Sequence, residues 1–123
     1  MPKIIELDAR VSLMRQMEEQ GGGPVVLLNT FTVDPAETEP FLTAWAADAA
    51  IMKRQPGFIS TQLHRGIAGS SVFVNYAVWE STEQFTRAFS NPEFQASLRN
   101  YPSSAAASPH LFRKLAVAGI CVD

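Results

Sequence analysis

Residues Val72 to Trp79 read VFVNYAVW, and strand geometry sends alternate side chains to opposite sides. Phe73, Asn75, Ala77 and Trp79 then share one face and Val72, Val74, Tyr76 and Val78 the other, so neither face is built for water. A sheet that contains this strand needs cover on both sides. With 123 residues the chain is one domain's worth, long enough to bury about two-thirds of its unfolded surface. Both covers must come from that length or from a second copy.

The rest of the chain supplies one cover. Val25 to Val33 (VVLLNTFTV) is rich in β-branched residues and reads as a buried strand. Asp34-Pro35-Ala36-Glu37 is a capping sequence, and Phe41, Trp45, Asp48/Ala49 and Met52 recur at helical spacing until Pro56-Gly57 ends the helix. Phe58 to Arg65 alternates as a strand, Gly66 to Ser70 turns, and Val72 to Trp79 returns antiparallel. Ser81-Thr82-Glu83-Gln84 caps a second helix carrying Phe85 and Phe89, and Asn91-Pro92 restarts a short one with Phe94 and Leu98. Tyr101 to Pro109 is expected as a loop and Leu111 to Val117 as the last strand. The order is βαββαβ, the ferredoxin-like α+β arrangement, with an antiparallel sheet and both helices on one face. Two helices shield one face only, so the other is expected against its counterpart in a homodimer. Residues 1–24 read as an N-terminal arm and Gly-rich linker, 25–118 as the domain, and 119–123 as a tail.

Composition narrows the function classes. Hydrophobic residues make up 46% of the chain and charged residues 18%, with a net charge of −2, so there is material for a core but no basic field for nucleic acid or an anionic membrane. No apolar run reaches membrane-spanning length and no signal-peptide core opens the chain, so a cytoplasmic location is expected. A single cysteine, Cys121, excludes an intrachain disulfide. There is no GxGxxG, Walker loop, CxxC, HExxH or GxSxG, so no nucleotide, metal or cofactor site is expected.

What remains is polar groups set among aromatic ones. Asn75 and Trp79 share a strand face about 13 Å apart by strand rise. Asn29 lies mid-strand, His64 falls in the alternation set of Phe58, Ser60 and Gln62, and Arg99 ends the short helix. If the Asn75/Trp79 face looks toward the helices, these groups can line an apolar pocket with a few convergent donors. Each also has a structural explanation: a core tryptophan, an asparagine bonded to nearby backbone, an arginine capping a helix in solvent.

Asn75-Tyr76-Ala77-Val78-Trp79-Glu80-Ser81, preceded by Pro56-Gly57-Phe58 and a strand ending Leu63-His64, resembles the antibiotic biosynthesis monooxygenase family over about residues 25 to 117. The resemblance implies dimeric α+β barrels and, in one branch, cofactor-free oxygenases that turn a phenol or anthrone-type ring into a quinone with dioxygen. It further implies that Asn75, Trp79 and Arg99 surround the substrate and that His64 matches a histidine of that branch. Phe85 stands where a tyrosine is expected. A second branch degrades haem; Asn29 matches its strand asparagine, but Ala88 and Leu98 replace its tryptophan and its histidine ligand.

On this reading the substrate is its own reductant, since a deprotonated ring can pass an electron to dioxygen without a cofactor. Arg99 would hold the developing oxyanion, Asn75 and the Trp79 N–H would donate to ring oxygens, and His64 would act as base. Asn29 and the aromatic side chains Phe31, Phe73 and Phe85 would bind the flat ring. The competing expectation is a binding module that holds a flat hydrophobic metabolite without turning it over.

Overall fold

Local rules set where each element starts. The computed structural model describes residues 1–123. Strand β1 (Lys3–Ile4) and helix α1 (Leu13–Met17) precede β2 (Val25–Thr32). Asp34 caps a short 3-10 turn, Pro35–Glu37, by accepting from the Ala36 N–H, and α2 (Thr38–Lys53) runs on from it. Pro35 opens that turn and Pro40 falls in the first turn of α2, where an N–H would have no partner within the helix. Gly57, with φ of +91°, carries the chain from α2 into β3 (Phe58–Arg65), and a Cβ there would meet the Gln84 side chain. After β4 (Val72–Trp79), Ser81 caps α3 (Thr82–Phe89) and Asn91 caps α4 (Pro92–Ser97). A 3-10 turn at Leu98–Asn100 leads to β5 (Ala106–Phe112).

The five strands lie in the order β1-β5-β2-β4-β3, antiparallel except for β1 against β5. The ferredoxin-like α+β order read from the sequence is therefore present in β2 to β5. Along one face Val25, Leu27, Ala77, Trp79 and Leu111 pack with Phe85 and Ala88 of α3. Further along it Phe31, Phe73 and Ala107 pack with Phe41 and Ala44 of α2. These two clusters account for most of the buried apolar side chains. The opposite face leaves Val72, Tyr76 and Phe112 exposed. No helix is long and apolar enough to cross a membrane.

Part of the N-terminal arm packs on the domain: Leu13 is 4% exposed inside the first cluster, and the Gln16 side-chain amide accepts from the Leu111 N–H and donates to the Leu111 carbonyl. With Lys3 and Ile5 donating to the carbonyls of Ala105 and Ala107, this segment covers an edge that would otherwise offer unpaired backbone. The last strand comes earlier than the expected Leu111 to Val117. Ala105, Ala107 and Leu111 turn their backbone groups to that outer edge, and by the period of two so does Pro109. Its missing N–H therefore costs the β2 ladder nothing. Ala and Ser residues look like loop, but small Ala107 fits the strand because Phe31 opposite it is large, while Ser108 and Ala106 pair with Thr30 and Thr32.

Candidate active site

A cavity of ≈ 70 Å³ lies at the seam between the two core clusters, under α2, α3 and α4. The register of β2 against β4 sets its floor. Asn29 stands directly opposite Asn75, with Phe31 opposite Phe73 and Leu27 opposite Ala77, so all these side chains project to the helix face. Asn75 Oδ1 accepts from the Thr61 hydroxyl of β3, which leaves the amide N–H groups as the donors available to a ligand. Asn29 Oδ1 is buried and accepts from nothing in the protein. Such an orphaned acceptor costs about 1–3 kcal/mol, so its presence needs a reason.

Aromatic side chains form the walls. Trp79 is 1% exposed and held edge-to-face between Phe58 (ring centroids 5.4 Å apart) and Phe85 (5.8 Å). Phe31 stacks at 6.0 Å and 13° on Tyr101. Half-buried Trp45, Met52 and Phe89 complete the lining.

One wall carries an acid. Asp48 sits on the inward stripe of α2 with Phe41, Ala44 and Ile51, and is 8% exposed. Ser97 Oγ lies 2.6 Å from its Oδ1, and the Tyr101 hydroxyl donates to Oδ2 at 2.8 Å. Burial holds the Asp48 carboxyl above the usual aspartate range despite these two bonds, which pull the other way. The Tyr101 phenol is pushed far up by burial and by the carboxylate beside it, and stays protonated.

The structure separates the residues singled out in the sequence. Asn29, Phe31, Asn75, Trp79 and Phe85 line the cavity. Phe73 lies behind it, packed 4.8 Å from Phe41. Arg99 is exposed and outside the cavity: Phe94, Ser97 and Tyr101 face inward at helical spacing, which turns the residue two beyond Ser97 away. His64 is exposed on the open face of the sheet. The register shifts at Ile59, so Phe58 pairs with Trp79 but Ser60 with Val78, and His64 follows Ser60 rather than Phe58. Sequence reasoning passed over Asp48, Tyr101, Ser97 and Thr61. For Asp48 the signal was present: a carboxylate in an apolar helical stripe.

A larger open depression of ≈ 490 Å³ between α1, the end of β5 and the start of α3 is lined by Arg15, Glu18, Glu19 and Arg113. Val11, Val25, Leu111 and Phe112 share its lining with these charges and Arg113 pairs with Glu19 across it, so it offers a flat ring an open, charged surface and no enclosed aromatic walls.

Comparison with known proteins agrees with this geometry. The antibiotic biosynthesis monooxygenase family profile matches residues 24–100. Deoxynogalonate monooxygenase of Streptomyces nogalater is 39% identical over 70 residues, which span 57% of this chain and 58% of that enzyme. The crystal structure of SnoaB, a cofactor-independent oxygenase from the same organism, superposes with a TM-score of 0.69 at 29% identity, covering 80% of this chain and 99% of that one. With the family profile spanning both central strands and all three helices around the cavity, this chain belongs to the antibiotic biosynthesis monooxygenase family.

Proposed function

We propose that the protein is a cofactor-independent monooxygenase that oxidises a phenolic or anthrone-type ring to a quinone with dioxygen. The observation that carries this reading is the Asn29/Asn75 pair. Two amides face each other on the floor of an aromatic cavity, one with its oxygen buried and without a donor. An oxygenated flat ring matches both: a ring hydroxyl donates to Asn29 Oδ1, and the Asn75 N–H groups donate to a ring oxygen that gains negative charge. Trp79 supplies a further N–H, and Phe31 and Phe85 supply apolar contact. The relatives named above, a deoxynogalonate monooxygenase and a cofactor-independent oxygenase, support the same chemistry.

The reaction balances without an external reductant. A ring methylene and dioxygen give a ring carbonyl and water, so the substrate provides all the electrons. The protein's work is to bind the ring, stabilise its anion and exclude bulk water. Ligand sites for molecules of this size occupy about 300–1,000 Å³, so entry requires the half-buried side chains of Trp45, Met52 and Phe89 to move aside. The open sheet face, with Val72, Tyr76 and Phe112 exposed, fits a homodimer, for which light scattering should give twice the 13.5 kDa chain mass.

Oxygen uptake by metal-free, flavin-free protein tests the proposal, with 1,8-dihydroxyanthrone as substrate. Expected is a rate above spontaneous oxidation, with one dioxygen consumed per quinone formed. Ring binding that quenches tryptophan fluorescence without oxygen uptake would make the protein a sequestering module instead.

A further inference from the structure

We propose that Asp48 is the base that takes the acidic proton of the bound ring, with the Ser97 hydroxyl turning so that the carboxyl keeps both its hydrogen bonds in either protonation state. This rests on the oxygenase reading and names the proton acceptor within the same site.

Counting hydrogens leads there. Ser97 Oγ lies 2.6 Å from Asp48 Oδ1 and 2.7 Å from the Phe94 carbonyl, both ordinary O–H···O distances. A serine hydroxyl has one proton, and neither a carboxylate nor a carbonyl can donate. When Asp48 is ionised, Ser97 donates to Oδ1 and Tyr101 to Oδ2. When Asp48 is protonated, Oδ1–H donates to Ser97 Oγ, Ser97 turns to donate to the Phe94 carbonyl, and Tyr101 still donates to Oδ2. Gaining a proton therefore requires one hydroxyl rotation and leaves no bond to the carboxyl unmade. A buried acid built only for structure has no need of the second arrangement.

The surroundings suit a base. Asp48 lines the cavity, and no lysine, arginine or histidine lines it. The groups that face it are Ser97 and Tyr101 from the α4 side and the uncharged Asn29, Thr61 and Asn75 from the sheet. Arg54 and Glu93, where α2 meets α4, pair with each other in solvent. Without a counterion the carboxylate keeps its affinity for a proton, and burial strengthens it.

The steps balance. A ring C–H or O–H bond breaks, its electron pair stays on the ring, and the proton goes to Asp48. The anion adds dioxygen and the resulting peroxide anion recovers that proton. Asp48 then removes the second hydrogen from the oxidised carbon as the O–O bond breaks, forming the carbonyl. The departing hydroxide takes this proton from Asp48 and leaves as water, so the carboxylate is regenerated.

Asp48→Asn reproduces the protonated form: its N–H donates to Ser97 and its oxygen accepts from Tyr101. The variant should fold and bind the ring as the parent does, yet turn over about 100- to 10,000-fold more slowly. Ser97→Ala keeps the base but removes a donor to its ionised form, so the acid limb of the rate profile should move to higher pH. Under anaerobic conditions, 1,8-dihydroxyanthrone should show its anion absorption in the parent and not in Asp48→Asn at equal tryptophan quenching. In the ligand-free parent, infrared difference spectra should show a carboxylic C=O stretch titrating above the usual aspartate range, absent in the variant. Anion formation in both proteins or in neither, an unmoved acid limb, or the absence of that stretch would overturn the assignment. A parent that forms the anion but consumes no oxygen would sink the oxygenase reading and leave Asp48 as the proton acceptor.

Discussion

Replacing Asn29 by leucine should make the protein more stable and less active. Leucine branches at Cγ as asparagine does, so its methyl groups take the places of Oδ1 and Nδ2 beside ≈ 70 Å³ of open cavity. The substitution removes a buried acceptor that has no donor, which recovers about 1–3 kcal/mol. At about 4 °C per kcal/mol for a chain of this length, the melting temperature should rise by about 4–12 °C. Turnover should fall by about 10- to 100-fold, because a substrate hydroxyl loses its acceptor. Opposite signs for stability and rate are the mark of a polar group kept for function at the expense of the fold. Asn29→Asp keeps the shape but adds a charge among residues that include no lysine, arginine or histidine, so it should lower the melting temperature at neutral pH. Thermal unfolding by circular dichroism and oxygen uptake read both quantities. A melting temperature that does not rise in Asn29→Leu would mean that Oδ1 is satisfied in solution and that the argument for a waiting ligand fails.

Three other outcomes are expected. Leu13→Ala should cost about 2–5 kcal/mol in chemical denaturation, because Leu13 is 4% exposed in the first core cluster; a loss below 0.5 kcal/mol, the scale of about a surface change, would mean the N-terminal segment is not docked. Arg99→Ala and His64→Ala, both at exposed positions outside the cavity, should hold turnover within about twofold, and a tenfold loss in steady-state kinetics would return that residue to the site. Asp48 binds its proton more tightly folded than unfolded, so it favours the fold at low pH and loses that contribution as pH rises through its raised value. Asp48→Asn should therefore match the parent's melting temperature in acid and exceed it increasingly toward neutral pH; a gap that does not widen with pH contradicts the raised value.

Much of the fold was legible because it depends on local rules. Capping residues Asp34, Ser81 and Asn91 start helical segments where side-chain oxygens meet free N–H groups, and that requirement acts over three residues. The β4 alternation likewise assigned Asn75 and Trp79 to one face without reference to any neighbour. The last strand was displaced because Ala and Ser carry no strand signal of their own, and Ala107 is matched to the bulk of Phe31 across the sheet. The role of residues 1–24 was hidden for a similar reason, since the Gln16 amide finds its partner 95 residues away at Leu111.

The site divides along the same line. The residue types that bind an oxygenated ring, and the face on which the strand residues Asn75 and Trp79 stand, follow from the amino-acid order, because a strand's period of two is a property of one chain segment. Which polar groups meet does not follow from it. The pairing of Asn29 with Asn75 depends on the β2/β4 register. The exclusion of His64 depends on one bulged residue at Ile59, which reverses the alternation beyond it. Arg99 turns outward and Ser97 and Tyr101 inward because the chain continues from α4 into a 3-10 turn, which keeps Ser97 and Tyr101 buried and leaves Arg99 exposed. Asp48 acquires its proton affinity only when the sheet and the neighbouring helices close around it and outweigh the pull of those two hydroxyls, since desolvation arises from the assembled surroundings and from no single segment.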